Sequence, residues 1–190
     1  MKRIILSFLF SLTFIFTFAQ EHLTFKGIPI YGDLDIFVTL LEMKGYFNLK
    51  ESPTPNSATL IGEFTNRNAV ILVLGNNKKD VWKVSVMFDG VDKWSVLEQT
   101  YQTYKNMYIE KYGKPSKVIE KFNEYTVRGN NMEIFALQQG TCKYQTLFTL
   151  KEGAISISLI PRDSQKGAIL IQYEDLIGSN ETRKSAIDDI

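Results

Sequence analysis

The 190-residue sequence predicts an α+β fold, mostly antiparallel sheet with helices packed on one side, and three observations carry that prediction. Apolar residues recur at helical spacing in two separate stretches. Elsewhere the apolar period switches to two, as it does on half-buried strands. The connections between those strands are short and rich in Gly and Asn. They suit hairpins and leave no room for the crossover helices of a parallel sheet.

The first helix is expected over residues 33–44, where Leu34, Phe37, Val38 and Leu41 share a face. Asp33 offers a side-chain oxygen to the free amides of the first turn, and Gly45 offers a stop. The second helix is expected over 92–112, with Trp94, Leu97, Tyr101, Tyr104 and Tyr108 as its stripe. Asp92 is its expected cap, and Gly113-Lys114-Pro115 ends it.

Strands are expected at 59–64, 69–74, 81–88, 117–125, 132–137, 143–150, 154–159 and 169–173. In the third of these, Trp82, Val84, Val86 and Phe88 should share the buried face. Turn chemistry at 66–68, 75–77, 129–131, 139–140 and 151–153 separates the strands. Residues 51–56, with Pro53 and Pro55, form a loop. The order gives two helix-plus-meander halves, 23–90 and 91–175, in a single domain spanning 20–178. Residues 179–190 follow as a tail or short helix, with Asn180 as its cap and Ile187 as its apolar anchor.

Residues 1–19 read as a cleaved signal peptide: Lys2 and Arg3, an apolar run from Ile4 to Phe18, and a cut after Ala19. The run is shorter than the roughly 20 residues of a spanning helix. No cysteine follows the cut to accept a lipid. Periplasmic or extracellular localisation is expected, with no membrane span after cleavage. Removing 19 residues from 190 leaves 171, enough for one core that buries roughly 70% of the unfolded surface. Taking Lys2 and Arg3 from 22 basic residues leaves 20 against 21 acidic ones, a net charge of −1. Nucleic acid and acidic lipid select basic faces, so neither is an expected partner.

The inventory of reactive side chains is short. His22 is the only histidine and Cys142 the only cysteine. Ser/His/Asp and Cys/His chemistry would have to use His22, which is expected on a loose N-terminal segment. Zinc wants several Cys or His ligands. Cys142 is expected inside a strand, as a small apolar residue. Asp89-Gly90-Val91-Asp92 lacks the ligand ladder of a calcium loop and reads as a turn. Gly27 and Gly32 form no phosphate-loop pattern.

Paired carboxylates remain as an acid–base option. Glu63, Asp80, Asp89, Glu120, Glu133, Glu174 and Asp175 lie near strand ends or on exposed faces, and no pair among them is singled out. Tyr101, Tyr104, Tyr108 and Tyr112 suit a helix–sheet seam first and a ligand platform second. No catalytic, cofactor-binding or metal-binding residue is assigned, and no cofactor is expected.

Several motifs together carry a resemblance: Phe25-Lys26-Gly27-Ile28-Pro29-Ile30-Tyr31-Gly32-Asp33-Leu34, Lys44-Gly45-Tyr46, Trp82-Lys83-Val84-Ser85-Val86, Lys111-Tyr112-Gly113-Lys114-Pro115 and Tyr173-Glu174-Asp175. Over most of the chain they resemble a group of small, uncharacterised secreted proteins of Gram-negative anaerobic bacteria. That resemblance implies export and fold and names no activity. The repeated helix-then-meander order is also similar to the tandem modules of beta-lactamase-inhibitor-like proteins, which bind proteins on a sheet face. The expected function is a monomeric, non-enzymatic binding protein of the envelope, whose partner is a protein or a glycan. The alternatives are a small glycoside hydrolase using two carboxylates, and a structural or assembly component of the outer membrane.

Overall fold

The computed structural model describes residues 21–50, 52–124, 129 and 131–188. The expected signal peptide, and Tyr125 at the expected end of a strand, lie outside the described residues. A small hairpin comes first, β1 (Thr24–Phe25) and β2 (Ile28–Pro29), followed by α1 (Leu34–Glu42). Then come β3 (Phe47–Asn48), β4 (Ser57–Phe64), β5 (Arg67–Gly75) and β6 (Val81–Phe88). The second half runs α2 (Trp94–Tyr112), β7 (Lys117–Phe122), α3 (Met132–Gln138), β8 (Cys142–Thr149), β9 (Gly153–Pro161) and β10 (Gly167–Asp175). A last helix, α4, spans Leu176–Asp188.

Among the described residues, β3 to β10 form one antiparallel sheet in the order β3-β4-β5-β6-β10-β9-β8-β7. The first half supplies α1 and β3 to β6, and the second supplies α2, α3 and β7 to β10, with α3 between β7 and β8. The β6–β10 ladder, from Met87↔Leu170 to Lys83↔Glu174, joins them at the centre.

Alternation along the strands decides where the core sits. Leu60, Ile71, Val86, Ile171, Ile157 and Thr146 are successive cross-strand neighbours, and all six are fully buried. A fully buried aliphatic side chain contributes roughly 1.5–3 kcal/mol relative to exposure. α1, α2 and α3 pack over this face. α1 buries Leu34, Phe37, Val38 and Leu41, and Asp33 caps it by accepting from the amides of Asp35 (2.9 Å) and Ile36 (3.1 Å). α2 buries Trp94, Leu97, Tyr101, Tyr104 and Tyr108. Gly62 makes room for the Tyr46 ring, because a Cβ there would lie 2.6 Å from it.

Five expectations need correction. Residues 132–137 form α3, not a strand. β7 pairs directly with β8 from Lys117↔Leu147 to Phe122↔Cys142, so the sheet has no place for another strand there. Met, Glu, Ala, Leu and Gln are also strong helix formers. Asp92 does not cap α2 with its side chain. Instead Asn131, 37 residues further on, accepts from the Trp94 amide at 2.8 Å. Its own amide group donates to the Asp92 carbonyl.

The third correction is Trp82, which does not share the face of Val84. The β5–β6 register steps from Leu74↔Lys83 to Gly75↔Val81, so Trp82 is the extra residue of a bulge. Val81 takes the buried side in its place. Fourth, the last helix starts at Leu176. Asp175 serves as its cap, accepting from the amides of Ile177 and Gly178, and Asn180 lies inside the helix. Fifth, the β4–β5 turn lies one residue earlier than expected, at Thr65 and Asn66.

Candidate functional site: the open sheet face

The residues that alternate with the buried row point away from α1, α2 and α3. Phe47, Ile61, Val70, Met87 and Leu170 are successive cross-strand neighbours there, and the row continues through Ser158 and Gln145. Phe47 is 66% exposed and Ile61 40%. Val70, Met87 and Leu170 are partly exposed. The adjacent row reads Leu72, Ser85, Gln172 and Ser156, with the Gln172 amide donating to Ser85 Oγ at 3.3 Å. At one strand end Lys83 pairs with Glu174 at 3.5 Å.

The face therefore has two chemistries. The row from Phe47 to Leu170 is apolar, and the rows beside it and its continuation on β9 and β8 carry Ser and Gln, with the Lys83–Glu174 pair at one end. Eight strands spaced about 4.8 Å apart make it roughly 34 Å from first to last.

The tyrosines chosen as a seam or platform belong to the seam. Tyr101, Tyr104 and Tyr108 are buried beneath α2, and Tyr112 packs beside them half-buried. Tyr101 shares a hydrogen bond with Thr146 (2.6 Å), and Tyr108 shares one with Tyr173. Burial pushes the phenols of Tyr46 and Tyr101 up to about 12. For Tyr101 the nearby Glu120 charge adds to that rise, and the Thr146 hydrogen bond opposes it. Burial also pushes Tyr108 and Tyr173 upward.

Most of the candidate carboxylates have structural partners. Lys105 Nζ lies 2.6 Å from Glu120, and Glu133 accepts from the Gly129 amide at 2.8 Å while itself buried. Asp175 is fully buried and accepts from the amides of Leu23 (2.9 Å), Ile177 (3.2 Å) and Gly178 (3.1 Å). Asp80 bridges to Asp33 through the backbone. Glu63 and Asp89 are exposed, on β4 and just beyond β6.

His22 is not loose. Its Nδ1 lies 3.1 Å from Asp175 Oδ2, and its ring stacks on Tyr31 at 4.2 Å. One carboxylate went unread in the sequence. Glu98 accepts from Trp94 Nε1 (3.1 Å) and from the Tyr144 hydroxyl (2.7 Å), tying α2 to β8. The i, i+4 spacing of Trp94 and Glu98 was the available signal. Cys142 is buried in β8, as expected for a small apolar residue.

Among the described residues, no group of three or more His, Cys, Asp or Glu side chains is placed to hold a metal ion. Among them also, no helix is long and apolar enough to cross a membrane. No protein-family model, curated protein sequence or solved structure gives a significant match to the chain. The functional reading therefore rests on this chain's own residues.

Proposed function

We propose that this is a non-enzymatic binding protein of the bacterial envelope, periplasmic or extracellular, which holds a macromolecular partner against its open sheet face. The single observation that supports the reading is the row from Phe47 to Leu170, apolar across five strands and on the face opposite α1, α2 and α3, while α4 packs against β6 and β10 near Trp82. A sheet face without a function is ordinarily polar on its solvent side, and contiguous exposed apolar surface marks interaction sites. The neighbouring Ser and Gln side chains supply hydrogen-bonding groups that suit either a protein or a glycan partner. Export rests on the leader pattern of residues 1–19.

The test is photo-crosslinking in native envelopes, with the reactive residue at Leu72 on the open face or at Val96 on the solvent side of α2. A discrete adduct from Leu72, absent from Val96 and lost in a Val70→Lys background, is the expected result. Equal adducts from both positions, or none from Leu72, would remove the open face from consideration.

A further inference from the structure

On the helix-covered side, a depression of about 280 Å³ lies between the β4–β5 turn and α2, lined by residues that include Thr65, Arg67, Gln99, Thr103 and Tyr104. Three observations there converge. Arg67 is exposed, and its guanidinium stands 5.5 Å over the Phe88 ring. Among the described residues it makes no ion pair and no hydrogen bond through its side chain. Stacking fixes the plane of a guanidinium while leaving its N–H groups available.

Second, Thr65 is held at φ 52, a left-handed value that β-branched residues seldom adopt. Its hydroxyl donates to the Phe64 carbonyl (2.7 Å) and meets the Tyr104 hydroxyl (2.8 Å). With the single Thr65 proton committed to that carbonyl, Tyr104 is the donor in the second bond. Its phenolic oxygen retains acceptor capacity. Strain of this kind persists where surrounding structure enforces it, and it concentrates at binding sites.

Third, the α2 wall sets polar groups beside the apolar Met107. The Thr103 hydroxyl donates to the Gln99 carbonyl, so its oxygen keeps a lone pair. The Gln99 side-chain amide makes no hydrogen bond among the described residues, and it offers both donors and an acceptor.

We propose that this depression binds a hydroxylated carboxylate, a sugar acid whose carboxylate pairs with Arg67 and whose hydroxyls bond to Gln99, Thr103 and Tyr104. A guanidinium takes a carboxylate through two parallel N–H···O bonds, and the single positive charge sets a single negative charge on the ligand. Neutral donors and acceptors alongside it match hydroxyls. The ligand is either a free sugar acid or one acidic residue of a glycan chain, and the two share this chemistry. The site is independent of the open face on the other side of the sheet.

The experiment is amide-resolved NMR titration of the isotope-labelled protein, expressed from its complete sequence and purified as the cell processes it. The probes are glucuronate, glucose, acetate and an oligomer of glucuronate. Glucuronate should shift the amides of Thr65–Arg67 and Gln99–Thr103, with glucose and acetate at least about tenfold weaker, since each lacks half of the recognised chemistry. Arg67→Gln should weaken glucuronate by about tenfold or more, Gln99→Leu should weaken it less, and Arg183→Gln on α4 should leave it unchanged. Tighter binding of the oligomer than of the monomer assigns the site to a glycan; equal binding assigns it to the free acid. The proposal is overturned if glucuronate perturbs other regions only, if glucose binds as well, or if a folded Arg67→Gln protein keeps its affinity.

Discussion

The two faces of the sheet are made by the same strands from alternate residues, yet they meet different surroundings. On the covered face Ile71, Val86, Ile171 and Ile157 are fully buried under the helices. On the open face their chain neighbours Val70, Met87, Leu170 and Ser158 remain in partial contact with solvent. Hydrophobic sequence alone does not distinguish Ile71 from Val70. What distinguishes them is that α1, α2 and α3 pack on the side of Ile71 and leave Val70 on the other.

The largest way to break this contrast is alkali. Tyr46, Tyr101, Tyr108 and Tyr173 all bind their protons more tightly folded than unfolded. Their stabilising effect is therefore complete below the ordinary tyrosine value of about 10, and it is lost as pH rises toward about 12 and beyond. Tyrosinate absorbance should show these four ionising only together with loss of the sheet's circular dichroism. A smooth titration with the sheet intact would contradict their burial.

Ile171→Ala should cost roughly 2–5 kcal/mol in denaturant unfolding. Asp175→Ala removes the acceptor shared by His22, Leu23 and the first turn of α4, and should cost about 1–3 kcal/mol. Asn131→Ala should cost about 0.5–2 kcal/mol by freeing the start of α2. The smallest effect, below about 1 kcal/mol, is expected for Leu170→Ala on the open face. Equal losses for Ile171→Ala and Leu170→Ala would erase the distinction between the faces.

How much of this was legible depended on whether the cause was local. α1 and α2 could be read because their stripes and stop signals lie within the helices or beside them, at Asp33, Gly45 and Gly113. The buried phase of β8, β9 and β10 could be read from their alternation, whereas β5 is continuously apolar and shows no phase. α3 could not, because Met132, Ile134 and Ala136 also alternate with polar or larger residues over so short a span. Only the direct β7–β8 pairing decides the matter. The Trp82 bulge is a property of two strands at once, and β6 alone carries no sign of it. The cap of α2 is 37 residues from its helix, and the His22–Asp175 contact spans 153 residues. The open face was anticipated as a kind of surface, but its residues were not. Alternation names two faces without saying which one the helices will cover.

The latch at Asp175 ties the beginning of the described chain to its end, and β10 is the last strand to be synthesised although it occupies the middle of the sheet. The first meander thus lacks its central neighbour until residues 167–175 have been made, and loops this long close slowly. A nascent chain arranged in this way stays unlocked while it is being made. It commits to its final shape only when the C-terminal segment arrives, so losing even the last strand by truncation would cost far more than one-eighth of the sheet.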